Sequence, residues 1–138
     1  MRKRLYLDTS AYLCILLGEA GYEELLRETA GAELLSSVLL VLETSRNLVR
    51  LSREGILTIA DFQNCFSTLN NDMEQFLLRD LTLDLCGFMT MPVVSTPRSM
   101  ALAHLRTALW FHQQEKLHRL VTLDQSQKMA ARELGLPV

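Results

Sequence analysis

Two short apolar runs in this sequence end in the same way. Leu5-Tyr6-Leu7 runs into Asp8 and then into the hydroxyl pair Thr9-Ser10, while Val121-Thr122-Leu123 runs into Asp124 ahead of a helix-forming stretch. A short apolar run that stops at such a residue reads as a buried strand, and Asp before helix formers reads as an N-cap. In a parallel sheet, both strand-to-helix junctions deliver an acid to the same edge. Capping alone, worth about 1 kcal/mol, explains either Asp as well as a functional role does. Two acids on matching frames indicate a site.

The intervening chain alternates in the same style. Helices are predicted over 10–17 and 22–29, a strand over 33–36, and a helix over 38–52. Thr58-Ile59-Ala60-Asp61 resembles a capping box and starts a helix reaching about residue 72. A strand over 74–79 and a helix over 82–89 follow, ended by the loop at Pro92. Thr96-Pro97 starts a long helix to about residue 114. A strand over 117–123, a helix over 126–134 stopped by Gly135, and an edge strand over 136–138 complete the pattern. Short apolar strands alternating with helices specify an α/β fold with a parallel sheet covered on both faces. With 138 residues, one domain spanning 1–138 is expected.

A third acid, Glu43, follows Val38-Leu39-Leu40-Val41-Leu42 and shares a helical face with Arg46, Asn47 and Arg50. Surface pairing with Arg46 or Asn47 would be worth only about 0.2–0.5 kcal/mol. Beside Asp8 and Asp124, ligation of a cation competes with that reading. Clustered carboxylates repel one another unless a cation neutralises them, and hard oxygen donors select Mg²⁺ or Mn²⁺ over zinc. Such an ion can activate water and steady the charge of a phosphodiester transition state.

Charge and cysteine usage narrow the partners. Fourteen Lys and Arg against sixteen Asp and Glu leave a net charge of -2, so no global positive field favours nucleic acid, and contact with RNA has to be local or metal-assisted. Three cysteines, widely spaced and without a Cys-x-x-Cys pair, indicate neither zinc nor a disulfide framework, and fit a reducing cytosol. Asp8 interrupts the apolar region that a signal peptide would need after Met1-Arg2-Lys3-Arg4. The longest apolar run, 11–17, is far shorter than the roughly 18–20 residues that cross a bilayer. A cytoplasmic protein without a membrane partner is expected.

In order and spacing, three motifs resemble the PIN domain, specifically the VapC-like toxin ribonucleases of bacterial toxin–antitoxin pairs. They are Leu7-Asp8-Thr9-Ser10-Ala11, Leu42-Glu43-Thr44-Ser45-Arg46, and Val121-Thr122-Leu123-Asp124 followed by Met129-Ala130-Ala131-Arg132-Glu133-Leu134-Gly135-Leu136. The resemblance covers nearly the whole chain. It implies a PIN-like three-layer α/β/α sandwich around a central, mostly parallel sheet. It also implies a Mg²⁺-dependent (or Mn²⁺-dependent) endoribonuclease with Asp8, Glu43 and Asp124 as metal ligands, RNA as substrate, an antitoxin protein as partner, and a homodimer.

The family's remaining motif is typically a helix-borne Asp with His three residues later. Here Ala101 stands at the position of the expected Asp, followed by His104, Thr107, Ala108 and Leu109. Ala101 therefore marks a fourth catalytic position without its acid, and the alternative it opens is an inactive PIN-like module that binds RNA or a protein. His104 reads as a buried, hydrogen-bonded residue. Thr9, Ser10 and Thr122 read as hydrogen-bond partners of the carboxylates or as caps, and Arg46 and Arg98 as phosphate contacts or surface pairs. The Leu-rich stretch 11–17 and Leu25-Leu26 either form an antitoxin groove or fill the core. A phosphoacceptor receiver domain also uses strand-end aspartates, but this sequence lacks paired acids after the first strand and a matching strand-end Lys.

Overall fold

A computed structural model of the chain describes residues 2–87, 91–95 and 98–138. Strand β1 (Arg4–Leu7) leads into α1 (Thr9–Leu17) and α2 (Tyr22–Thr29), and β2 (Glu33–Ser37) into the hairpin of α3 (Leu39–Arg53) and α4 (Ile59–Met73). Strand β3 (Phe76–Arg79), the short α5 (Leu83–Cys86) and the long α6 (Ser99–Gln114) follow, then β4 (Arg119–Val121) and α7 (Gln125–Glu133). The four strands form one sheet in the order β3-β2-β1-β4, and every neighbouring pair is parallel. With helices on both faces, the arrangement is a three-layer α/β/α sandwich.

Strand β1 is central and buried along its whole length. Successive strand residues point to opposite faces, and the two cores sort accordingly. Tyr6, in register with Leu35 and Leu120, packs on Leu105, Ala108 and Phe111 of α6 and on Ala130 and Ala131 of α7. Leu5, Leu7 and Val121 face Ala11 and Cys14 of α1 and Leu25 of α2. Tyr12, Leu40 and Leu69 join α1, α3 and α4 in a third cluster. Each fully buried Leu contributes roughly 1.5–3 kcal/mol. These clusters clamp β1 from both sides and hold its C-terminal end in place.

Most elements lie where the sequence puts them, with instructive differences at the ends. Thr58 caps α4 by accepting a hydrogen bond from Asp61 N–H at 3.1 Å. The strand expected over 117–123 contracts to Arg119–Val121. Its flanks are diverted: Leu117 N–H donates to His112 Nδ1 at 3.0 Å and Leu123 N–H to Ser10 Oγ at 2.9 Å. Residues 136–138 form no strand, because Pro137 can accept from Leu120 N–H (2.7 Å) but has no N–H to return. The helix expected over 82–89 is α5, four residues long, and residues 88 and 89 lie outside the described ones. Thr96-Pro97, expected to start α6, also lies outside them; among the described residues the helix begins after Arg98. No described helix is long and apolar enough to cross a membrane.

Candidate active site

Because all four strands are parallel, their C-terminal ends share one edge. Asp8 follows β1 directly, Asp124 lies three residues beyond β4, and Glu43 lies in the second turn of α3, the helix that β2 feeds. Helix α6 starts at the same edge. One cleft of about 210 Å³ there is lined by Asp8, Glu43 and Asp124, by Ala101 and His104 of α6, and by Gln127 of α7. Arg98 also lines it, whereas Arg46 does not. A larger cavity of about 420 Å³ opens beyond Thr122 and Leu123; of the charged residues lining it, Arg119 and Glu28 pair with each other at 2.5 and 2.7 Å, and Glu24 and Lys128 stand beside them.

Asp8 is the most tightly held of the three acids. Its Oδ1 accepts from Ser10 Oγ (2.7 Å) and from Ala11 N–H (3.2 Å), which caps α1, and its Oδ2 accepts from the Thr122 hydroxyl. A carboxylate offers about four lone-pair sites, so three are taken and one remains. The Thr122 contact draws the end of β4 onto the end of β1. Ser10 strengthens that join, since its Oγ also accepts from Leu123 N–H.

Glu43 turns away from Arg46 and Asn47, and Asn47 bonds only its backbone carbonyl. Its Oε1 instead accepts from Thr9 Oγ1 at 2.7 Å and from His104 Nε2 at 2.8 Å. His104 is buried, and its Nδ1 lies 2.8 Å from the Tyr6 hydroxyl. A proton on Nε2 for Glu43 leaves Nδ1 to accept from Tyr6, so one neutral tautomer satisfies the whole chain Tyr6–His104–Glu43. Burial drives the Tyr6 phenol well above its ordinary pKa, keeping it a donor. Burial also pushes the Glu43 carboxyl upward, but the hydrogen bonds from His104 and Thr9, the electrostatic pull of His104 and the positive charge of Arg46 outweigh it and hold the pKa below its ordinary value. Glu43 is thus kept ionised, with one oxygen tied down. Among the described residues nothing hydrogen-bonds to the other, Oε2.

The opposite wall is less occupied. Asp124 caps α7 through Oδ1, which accepts from the N–H groups of Ser126 (2.9 Å) and Gln127 (3.4 Å); its Oδ2 has no hydrogen-bond donor among the described residues. Gln127 is 3% exposed and donates from Nε2 to the Ala101 carbonyl at 3.1 Å, while its Oε1 is enclosed and has no partner among the described residues. An unmet buried acceptor costs about 1–3 kcal/mol. The sequence motifs do not single out Gln127. The available signal was its place on the stripe Gln127, Ala130, Ala131, Leu134, where a polar side chain interrupts a core-facing row.

The donor set suits a hard divalent cation. Among the described residues, Glu43 Oε2, Asp124 Oδ2, Gln127 Oε1 and the last lone-pair site of Asp8 receive no hydrogen bond. Among the described residues no three His, Cys, Asp or Glu side chains stand together so as to hold one ion directly. Mg²⁺ makes no such demand, since it usually takes one or two carboxylates and keeps several waters. No protein-family model matches the chain, and no curated protein matches it. The functional reading therefore rests on the motifs and on this geometry.

Proposed function

We propose that this chain is a PIN-type, divalent-cation-dependent endoribonuclease of the VapC-like toxin kind, in which Ala101 weakens the site. The observation that carries the reading is the convergence of Asp8, Glu43, Asp124 and position 101, which come from four separate segments, on one cleft. Asp8, Glu43 and Asp124 would hold Mg²⁺ or Mn²⁺, which supplies charge neutralisation and an acidified water when bound. The residues of the chain do the rest. Thr9 and His104 keep Glu43 ionised and fixed, Thr122 and Ser10 fix Asp8, and Arg98 offers a cation at the cleft rim for an RNA phosphate. Hydrolysis joins a water oxygen to phosphorus as the bond to one ribose oxygen breaks.

The toxin reading also assigns a partner. A narrow apolar groove of about 170 Å³ between α1, α2 and α4, lined by Ile15, Leu26, Leu34 and Phe76, suits an apolar helix of an antitoxin. Leu26 is 46% exposed beside it, whereas Leu25 fills the core. Co-expression with the neighbouring small reading frame should yield a stable complex, and recovery of this chain alone would remove the antitoxin from the reading.

Ala101→Asp tests the nuclease. Position 101 lies in the first turn of α6, where a carboxylate is favoured by the helix dipole and reaches the cleft. The variant should bind Mg²⁺ about 10- to 100-fold more tightly, cut cellular RNA until chelator is added, and melt lower than the parent when no metal is present. A variant that cuts no RNA and shows the parent's Mg²⁺-dependent melting shift would replace this reading with a non-cleaving PIN-like module that binds RNA or protein, the alternative that Ala101 itself favours.

A further inference from the structure

We propose that Gln127 supplies a neutral oxygen ligand to the divalent cation of the cleft, in place of the carboxylate that position 101 lacks; this rests on the cation-dependent reading above. Gln127 lies in the first turn of α7, three residues past Asp124, and its backbone N–H donates to Asp124 Oδ1. Its side chain reaches across to α6, where Nε2 donates to the Ala101 carbonyl at 3.1 Å. That bond orients the amide, because turning it over would set two carbonyl oxygens against each other. Oε1 is then the remaining end of a side chain that lines the cleft beside both Ala101 and Asp124.

The unmet group is an acceptor, and this selects its partner. Among the described residues no donor reaches the enclosed Oε1, so its partner is an ordered water or a cation held within the cleft. A phosphate oxygen would be one acceptor facing another. A hard cation is suitable, since side-chain amide oxygens join carboxylates as ligands of such ions. The amide also adds a ligand without adding charge to the three acids, whose mutual repulsion a fourth carboxylate would increase. An apolar side chain at position 127 would continue the Ala130, Ala131 row with no unmet polar atom, so packing alone does not account for a glutamine there.

Mn²⁺ titrated calorimetrically into the parent, Gln127→Leu, Gln127→Met and Asp124→Asn provides the test, together with melting of each in chelator. The parent should bind Mn²⁺, and Gln127→Leu and Gln127→Met, which lack a hard oxygen at this position, should each bind about tenfold or more weakly. In chelator, Gln127→Leu should melt above the parent, because the orphaned oxygen is gone. If Gln127→Leu binds as the parent does while Asp124→Asn binds more weakly, the cation site stands and the role of Gln127 falls. If the parent binds no Mn²⁺, the cation reading falls and this inference with it. Should Gln127→Leu fail to fold, the unbranched Gln127→Met, of similar length but without the oxygen, decides, and Mn²⁺ binding equal to the parent's overturns the proposal.

Discussion

Asp8 and Asp124 occupy equivalent junctions, each between a strand and the helix it caps, yet they are held differently. Asp8 is 5% exposed and gathers two hydroxyls and one backbone N–H. Asp124 is exposed and, among the described residues, accepts only from the two N–H groups of its own helix. Sheet position accounts for the difference. Strand β1 lies between β2 and β4, so its end is walled by neighbours on both sides, whereas β4 is an edge strand whose end opens to solvent. The same local motif thus yields an anchor at the sheet centre and an available carboxylate at its rim. A cation cleft needs both: a fixed acid to set geometry and free oxygens to take the ion.

Stability measurements can break this comparison most directly. Asp8→Ala removes a helix cap, worth about 1 kcal/mol, and takes away the carboxylate that accepts the buried Thr122 proton, leaving Ser10 Oγ at 3.3 Å as the nearest acceptor, at about 1–3 kcal/mol more. We expect Asp8→Ala to lose about 2–4 kcal/mol and Asp124→Ala about 1 kcal/mol, read from urea unfolding in chelator. Equal losses would show that Asp8 is no more of an anchor than Asp124.

Part of this arrangement is legible in the sequence, for a physical reason. The apolar runs ending at Asp8 and Asp124, the 3.6-residue periodicity of the helix carrying Glu43, and the Thr58 cap are local signals, and local signals place elements. Boundaries failed where long-range bonds decide them, as where Ser10 takes Leu123 out of β4. The set Asp8, Glu43, Ala101 and Asp124 could be named from motifs, but the side-chain partners could not. That Glu43 bonds His104 rather than Arg46 depends on α6 lying across the end of β1, a packing fact that no spacing within α3 encodes. The role of Gln127 escapes local patterns for a similar reason, since it depends on the Ala101 carbonyl on another helix.

The anchored wall should also show itself through pH. The folded-state pKa of Glu43 lies below the ordinary 4.5, so the folded protein holds this proton less tightly than the unfolded chain does. Its contribution is present above pH 4.5 and is lost as pH falls through the folded-state value. Thr9→Val removes one of the two donors to Oε1; it should lose about 1 kcal/mol at neutral pH and flatten that acid-side slope. Following the Glu43 carboxyl by NMR would check the cause, and a Glu43 titration unchanged by Thr9→Val would assign the depression to His104 and Arg46 alone.

The smallest expected effect separates two arginines. Arg98 lines the cleft at the start of α6, whereas Arg46 is exposed on α3 and reaches the site only through its charge on Glu43. For a bound single-stranded RNA, each phosphate neutralised by a basic side chain adds about 0.7 to the slope of log affinity against log salt. Arg98→Ala should therefore lower that slope by about 0.7 and weaken binding at low salt, while Arg46→Ala should leave the slope unchanged. The slope is the sharper readout. Losing Arg46 also changes the field at Glu43, and so can alter affinity through the cation, but it removes no phosphate contact. RNA binding can be followed by fluorescence anisotropy across salt concentrations in Ca²⁺, to limit cleavage. Equal slopes for parent and Arg98→Ala would move the phosphate path away from the α6 side of the cleft and toward α7, where Lys128 lies one turn beyond Asp124.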